Sequence, residues 1–200
     1  MNSGVVMARP NAKLDGLKVV LGVSGGIAAY KAVDLASKLT AAGAEVKTVM
    51  TENSLHLVGA KSFEAVTGQP VYTDMWEESQ EYKIGHIGLA DWADVVVVAP
   101  ATANAIGKFA NGICDDLLST VLCASWKKPI IFAPAMNDKM WTNPAVQRNI
   151  KLLSGMGVKI TGPGHGRLAC GTEGVGRMAE PQEILDVIAG IAAKPRRKDK

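Results

Sequence analysis

The sequence predicts a single doubly wound α/β domain, Rossmann-like or flavodoxin-like, in which a parallel sheet carries helices on both faces. Short apolar runs alternate with longer segments of helical period along the chain. At residues 95–99, four consecutive valines are typical of a strand buried on both faces. A chain of 200 residues, 48% of them hydrophobic, can enclose one core. We expect the domain at residues 16–193, between a flexible N-terminal segment at 1–15 and a basic tail or linker at 194–200.

The periodicity predicts the elements in chain order. Strands are expected at residues 18–23, 45–50, 95–99, 129–133 and 158–161. Helices are expected at residues 27–42, 103–110, 115–125, 144–156 and 181–193. Five glycines between residues 164 and 181 predict a loop without regular helix or strand, because ordering glycine costs the most conformational entropy.

Composition excludes several function classes. The net charge is +3, but five cations lie in the last seven residues, so the rest of the chain has no nucleic-acid footprint. The three cysteines lack Cys-x-x-Cys spacing, which predicts neither a disulfide framework nor a metal site and favours a reducing cytoplasm. No apolar run approaches the roughly 20 residues that span a bilayer, and no signal peptide is evident. We expect a soluble cytoplasmic protein that contacts neither nucleic acid nor membrane.

The loops after the strands are expected to carry the function, because ligands bind at the carboxyl ends of a parallel sheet. After the first strand, small residues enter a helix and expose backbone N–H groups that suit a phosphate: Ser24, Gly25, Gly26, Ile27 and Ala28. Thr51 and Ser54, after the second strand, can add hydroxyl groups. The loop matches neither G-x-G-x-x-G nor a nucleoside-triphosphate loop, which favours a mononucleotide. Tight strand–helix packing is the alternative use of these glycines.

Polar side chains follow the next two long strands. Pro100 is expected to end the valine strand, and Thr102 to cap the next helix. After Ala103, Asn104 offers a donor and an acceptor that can read a flavin or pyrimidine edge. Asn137 can grip a carboxylate beside an apolar wall that includes Met140, or it can simply cap a turn.

Two further side chains can move protons near neutral pH. His86 lies between glycines just before the valine strand, where it is either structural or a proton carrier. Cys170 lies in the glycine-rich segment with Arg167 and Arg177, which can lower a thiol pKa. The alternative for Cys170 is an inert thiol in a mobile surface loop.

Five motifs in order resemble the homo-oligomeric flavin-containing cysteine decarboxylases over about residues 16–193. They are VSGGIAAYK (23–31), GHIGLADWAD (85–94), APATAN (99–104), PAMNDKMW (134–141) and ACGTEGVGRM (169–178). The resemblance implies an enzyme, a carboxy-lyase that uses FMN in coenzyme A biosynthesis. Its reaction would convert 4′-phospho-N-pantothenoyl-L-cysteine to 4′-phosphopantetheine and CO₂ through thioaldehyde and enethiolate intermediates.

The resemblance also implies residue roles. FMN would lie against the residues from Ser24 to Ala28, Thr51, Ser54 and the Thr102–Ala103–Asn104 loop. Asn137, Met140, Ala169 and Arg177 would bind the substrate. His86 and Cys170 would be catalytic, with Cys170 supplying a proton. The resemblance implies a homotrimer or homododecamer, and a phosphopantothenoylcysteine synthetase that is fused or separate.

Three other interpretations remain. Other flavoproteins of this fold include peptidyl-cysteine decarboxylases and flavin prenyltransferases, and both lack the ACG…GRM segment. A non-catalytic flavin-binding regulatory subunit is a second class, disfavoured by the presence of His86 and Cys170. A dinucleotide-dependent dehydrogenase is disfavoured by the missing fingerprint.

Overall fold

A six-stranded parallel sheet forms the centre of the molecule, in a computed structural model that describes residues 14–76, 85–169 and 171–193. Its strands are β1 (Lys18–Val23), β2 (Glu45–Met50), β3 (Val71–Tyr72), β4 (Val95–Ala101), β5 (Ile130–Pro134) and β6 (Lys159–Ile160). They lie in the order β3-β2-β1-β4-β5-β6, and every neighbouring pair is parallel. This is the strand order of the Rossmann arrangement, so the predicted doubly wound class is confirmed.

Helices connect the successive strands of the sheet, and one more follows the last strand. They are α1 (Ala29–Ala41), α2 (Glu52–Leu55), α3 (Ala60–Thr67), α4 (Gly85–Trp92), α5 (Ala103–Ala110), α6 (Leu117–Ala124), α7 (Asp138–Trp141), α8 (Pro144–Gly155) and α9 (Pro181–Ala192). The five predicted helices are confirmed to within two residues at each end. The sequence missed α2, α3, α4 and α7, of which α2 and α7 are single turns that show no periodicity.

Each face of the sheet packs against its own helices. On one face, Leu21, Val97 and Ile131 pack in a cluster with buried residues of α1, α3 and α9. On the other face, Val98 and Phe132 pack with buried residues of α4, α5, α6 and α8. Successive residues of a strand point to opposite faces, so the valine run serves both clusters.

The valine strand continues through Pro100, which the sequence expected to end it. Pro100 lacks an N–H, but its carbonyl accepts hydrogen bonds from the backbone N–H of Ser24 at 3.4 Å and the hydroxyl of Ser24 at 2.7 Å. Ala101 then accepts the N–H of Ala135 at 3.1 Å, after a register shift between Val98 and Ala101. Pairing on both sides therefore carries β4 past the proline.

The core includes a residue that the sequence assigned to the N-terminal segment. Leu14 is 2% exposed, and its N–H donates to the carbonyl of Ala42 at 3.1 Å. Residues 1–13 and the basic tail at 194–200 lie outside the described residues.

The glycine-rich segment forms a two-stranded antiparallel hairpin, so the expectation of an irregular loop was wrong. Its strands are β7 (Gly164–Arg167) and β8 (Glu173–Arg177). The entropic cost of ordering glycines is offset by cross-strand pairing and by close backbone docking against the main sheet's loops. Cys170 lies outside the described residues.

No helix within the described ranges is long and apolar enough to cross a membrane.

Phe132→Ala tests the packing of the sheet. Phe132 is fully buried in β5 and contacts the ring of Phe109, with centroids 5.8 Å apart. We expect the free energy of unfolding to fall by about 3–5 kcal/mol, measured by denaturant titration with circular dichroism. Leu57→Ala, at a side chain that is 42% exposed, serves as control and should cost about 1 kcal/mol or less. Equal losses in the two variants would contradict the assignment of Phe132 to the core.

Candidate active site

A cavity of about 1170 Å³ opens at the carboxyl ends of the central strands. We call it the strand-end cavity. Most of the sequence-predicted site residues line it, namely Ser24, Gly25, Gly26, Ile27, Ala28, Thr51, Thr102, Ala103, Asn104, Asn137, Met140, Ala169 and Arg177. Its volume is above the roughly 300–1,000 Å³ typical of small-molecule sites. The strand-end cavity therefore has room for two ligands, such as a cofactor and a substrate.

Ser24 joins two of the loops that form the cavity wall. Its side chain is 2% exposed, and its hydroxyl donates to the carbonyl of Pro100 and accepts the N–H of Thr102 at 3.0 Å. The hydroxyl of Thr102 lies 3.1 Å from that of Ser24. Ser24 thus holds the loop after β1 against the loop after β4.

The loop after β1 touches the loop after β2 at Gly25. A Cβ on Gly25 would lie 2.5 Å from the Cβ of Asn53 and 3.0 Å from its backbone carbonyl carbon. Contacts this short do not occur, so a side chain at residue 25 would separate the two loops. Glycine is required here because the backbones approach so closely.

The N-terminus of α1 gives this part of the cavity a positive potential. Ala28 occupies the N-cap position without a side-chain hydrogen bond, and the first turn contains no acid. The N–H groups of Ala29 and Lys31 donate to the carbonyls of Gly26 at 2.8 Å and Ala28 at 2.9 Å, so the positive potential comes from the helix dipole, which no side-chain cap or first-turn acid offsets. Lys31, whose side chain is only 14% exposed, adds a cation to the same wall. This end suits a phosphate group.

Thr51 supplies an independent sign that a ligand belongs in the cavity. Its Oγ1 is buried and has no hydrogen-bond partner, although Thr51 lies at the N-cap position of α2. A buried hydroxyl without a partner is unfavourable unless a bound group completes it. Thr51 lines the strand-end cavity, so the residues present fit a polar, phosphate-bearing cofactor.

Two predicted site residues do not line the strand-end cavity. Ser54 is fully buried, and its hydroxyl donates to the carbonyl of Thr51 at 2.6 Å, which makes it a support for that loop. His86 is half-buried on α4, a helix that packs against α6. Among the described residues of one chain, the fold does not bring His86 to the cavity wall.

Thr102 and Asn104 lie at the start of α5. The Thr102 hydroxyl accepts the N–H of Ala105 at 3.3 Å, which confirms the predicted N-cap. Asn104 is exposed in the first turn and lines the cavity. Its amide can both donate to and accept from a heterocyclic ligand.

A charged cluster in the cavity wall was missed by sequence reasoning. Lys108 Nζ lies 2.6 Å from Asp115 Oδ1 and 2.7 Å from Asp116 Oδ2. The signal was the i, i+4 spacing of Asn104 and Lys108, which places both on one face of α5. Two acids against one base give the cluster a net negative charge.

The charged forms of Lys108 and Asp116 are both stabilised in this cluster. Burial acts to lower the pKa of Lys108, but hydrogen bonds to Asp115 and Asp116 outweigh it and raise that pKa. Burial acts to raise the pKa of Asp116, yet hydrogen bonds from Lys108 and Ser119 bring it below its ordinary value. The ion pairs therefore persist at neutral pH.

Cys114 lies beside the same cluster. Burial raises the pKa of its thiol, and Cys123, Asp115 and Asp116 raise it further. A thiol with a raised pKa is a poor nucleophile at neutral pH, which argues against a catalytic role for Cys114.

Asn137 combines a structural and a cavity-facing position. It is the N-cap of α7, and its Oδ1 accepts the N–H of Lys139 at 2.9 Å, as the capping alternative predicted. It also lines the cavity together with Met136 and with Met140, which is 48% exposed. The apolar methionines can exclude water from a group bound at Asn137.

The hairpin docks onto the loop that contains Asn137. Met136 N–H donates to the carbonyl of Gly176 at 3.0 Å, and a Cβ on Gly176 would lie 2.0 Å from the carbonyl oxygen of Met136. A Cβ on Gly174 would lie 2.9 Å from the Cβ of Asp138. Absence of side chains at these two glycines lets the β8 backbone lie against the loop, which brings Ala169 and Arg177 to the cavity.

A second, smaller cleft of about 290 Å³ lies near the start of β5. It is lined by Phe109, Trp126, Lys128, Ile130, Met156, Gly157 and Val158. None of the predicted site residues lies there. No cluster of metal-binding side chains occurs in the part of the chain that the structure describes.

Gly176→Ala tests the docking of the hairpin. The added methyl group collides with a backbone carbonyl that cannot swing aside, so the hydrogen bond from Met136 N–H should break. We expect hydrogen exchange at the Met136 amide to become about tenfold faster or more, measured by NMR or mass spectrometry. Gly164→Ala is the matched control on the same hairpin, because its Cβ would have 4.0 Å to the nearest atom. Unchanged protection in Gly176→Ala would show that the hairpin is not held there.

Comparison with known proteins agrees with this geometry. The chain is 51% identical over 172 residues to the coenzyme A biosynthesis bifunctional protein CoaBC of Bacillus subtilis (strain 168), covering 86% of this chain and 42% of that protein. The chain thus spans less than half the length of this curated relative.

Solved structures show the same fold. A mutant PPC decarboxylase complexed with pantothenoylaminoethenethiol matches with a TM-score of 0.81 at 37% identity, covering 90% of this chain and 100% of that chain. The FMN binding protein AtHal3 matches with a TM-score of 0.80 at 38% identity, covering 90% and 99%. The Flavoprotein family model matches residues 7–193, and the chain belongs to this family.

Proposed function

We propose that this chain is an FMN-dependent decarboxylase that converts 4′-phosphopantothenoylcysteine to 4′-phosphopantetheine and CO₂. The observation that carries the proposal is the strand-end cavity, in which a helix N-terminus suited to a phosphate, Asn137 and the docked hairpin face one space. Similarity to a PPC decarboxylase and to a bifunctional protein of coenzyme A biosynthesis supports the substrate.

FMN fits one end of the cavity. The N-terminus of α1, with the loop before it, and the buried hydroxyl of Thr51 would hold its phosphate and polar chain, and Asn104 would bind the edge of its ring. Bound FMN would supply a hydride acceptor and donor, so that the substrate is oxidised to a thioaldehyde, and that group would take up the electrons left by the departing carboxylate. Similarity to an FMN binding protein supports this cofactor.

The substrate would lie between the Asn137 loop and the hairpin. Asn137 N–H groups would donate to the carboxylate, while Met136 and Met140 exclude water around it. Exclusion of water favours loss of charge as CO₂ departs. Cys170, predicted to protonate the enethiolate, belongs to the hairpin segment but lies outside the described residues.

The predicted proton-handling role of His86 requires a second chain. His86 does not line the cavity of its own chain among the described residues. In the homotrimer or homododecamer that the family resemblance implies, α4 of one subunit can face the cavity of another. We therefore include this assembly in the proposal, with His86 as a residue supplied across a subunit contact.

A synthetase activity completes the proposed setting. The curated relative is bifunctional and more than twice as long as the matched region. We propose that a phosphopantothenoylcysteine synthetase works with this domain, fused to it or separate. Cys114 and Cys123 are free thiols, which supports a reducing cytoplasmic location.

Asn137→Asp tests the function at its most specific contact. The aspartate can still cap α7, but its negative charge repels the substrate carboxylate. We expect the purified protein to stay yellow, absorbing at about 450 nm, while kcat/KM for CO₂ release falls about a hundredfold or more. His86→Asn and Cys170→Ser should lose product formation in the same assay.

Asn143→Asp is the matched control. Asn143 caps α8 in the same way, accepting the N–H of Ala145 at 2.8 Å, but does not line the cavity. Its activity should equal that of the wild type. A yellow wild-type protein that releases no CO₂ would refute the proposed decarboxylase activity and favour a regulatory flavin-binding subunit.

A further inference from the structure

An ion-pair chain connects the hairpin to α1 at the rim of the strand-end cavity. Glu180 Oε1 accepts hydrogen bonds from Lys31 Nζ at 2.7 Å and from Arg177 Nη2 at 3.3 Å. Lys31 and Arg177 both line the cavity, whereas Glu180 is the first residue before α9. Exposed ion pairs contribute little to stability. The position of these ion pairs at the cavity rim therefore indicates a role in binding more than in stability.

The Arg177 side chain has a defined seat on the hairpin. Gly166 lies beneath it, and a Cβ there would come within 2.9 Å of Arg177 Nη1 and 3.0 Å of Arg177 Cδ. The missing side chain at residue 166 therefore leaves the space that the guanidinium occupies. Glu180 holds the other end of the same guanidinium.

Arg177 and Asn137 mark different parts of the cavity. Gly176 faces Met136 and the Asn137 loop, so the next residue on the strand points to the opposite side of the hairpin. There Arg177 meets Glu180 and, through it, Lys31 of α1. A ligand with two separated anionic groups can thus be held at both places.

Lys31, Glu180 and Arg177 together keep one net positive charge, because a single carboxylate lies between two cations. An arginine has five N–H donors, and the contact with Glu180 uses Nη2, so further donors remain to form a bidentate pair with a phosphate. The substrate proposed above carries a carboxylate at one end and a phosphate monoester at the other.

We propose that Arg177 binds the phosphate monoester of the substrate, and that Glu180, together with Lys31, is the positioning residue that aims Arg177 into the cavity. This inference rests on the proposed function, and it makes Arg177 the residue that distinguishes the phosphorylated substrate from its unphosphorylated analogue. The cofactor's phosphate would lie against the loop from Ser24 to Ala28, which precedes Lys31 in the sequence.

The test measures the ratio of two dissociation constants. FMN-loaded protein is titrated by calorimetry with 4′-phosphopantetheine and with pantetheine, and the wild type should favour the phosphorylated ligand by about tenfold or more. In Arg177→Met the ratio should fall close to one, with pantetheine binding unchanged. Arg177→Lys should lie in between, since an ammonium keeps the charge but cannot form the bidentate pair.

Glu180→Gln isolates the positioning role. Glutamine keeps the side-chain acceptor that caps α9, so the helix should stay intact while the charge that attracts Arg177 and Lys31 is lost. The ratio should fall at least threefold, with melting temperature unchanged. Asp34→Asn, which removes an exposed ion pair with Lys38 on α1, is the control and should leave the ratio unchanged.

Three outcomes would overturn the inference. The first is a wild-type preference in Arg177→Met, including equal weakening of both ligands. The second is a wild-type ratio in Glu180→Gln. The third comes from titrating flavin-free protein with FMN and with riboflavin. If Arg177→Met lowers only the affinity for FMN, Arg177 binds the cofactor's phosphate instead. Release of CO₂ is measured separately. An inactive protein that still prefers the phosphorylated ligand would refute the proposed decarboxylase activity and leave the role of Arg177 standing.

Discussion

Burial of the parallel sheet on both faces is the constraint on which the rest of the structure depends. The residues of β4 are all buried, and those of β5 likewise, with helices on either side. Strands enclosed in this way have little room for polar chemistry, so the chemistry falls at their carboxyl ends. There four loops and a hairpin meet around one cavity.

Close backbone approach, rather than side-chain packing, joins those loops. Gly25 allows contact with the loop at Asn53, and Gly176 allows the hairpin to lie on Met136. Ser24 adds a hydroxyl that bridges to Pro100. Each contact lacks space for a Cβ or for a larger polar group, which explains the concentration of small residues in the motifs.

Much of the fold and part of the site follow from the sequence. Alternating apolar runs predict the doubly wound sheet, and small residues after β1 predict a helix N-terminus that lines the cavity. The hairpin was missed because its strands are stabilised by docking against a loop about 40 residues away, which no local propensity records. Ser54 was assigned to the cofactor from its position, although its hydroxyl supports the Thr51 loop.

The ion pairs at the cavity also depend on tertiary contacts that the sequence does not reveal. The Lys31–Glu180 pair spans 149 positions in sequence, so no pattern of spacing reveals it. For His86 the sequence indicates a function that the fold of one chain does not explain. Its motif indicates proton chemistry, but its place on α4 leaves it away from the cavity of its own chain. The contribution that we propose for a second subunit leaves no signal in the sequence pattern of one chain.

A crystal structure of the protein with FMN and 4′-phosphopantetheine would test the central claim most directly. The claim is that one cavity at the strand ends holds both ligands. The flavin phosphate should lie at the N-terminus of α1, and the second ligand between the Asn137 loop and the hairpin. Flavin bound instead in the cleft of Phe109 and Trp126, or a hairpin detached from Met136 with both ligands present, would contradict it.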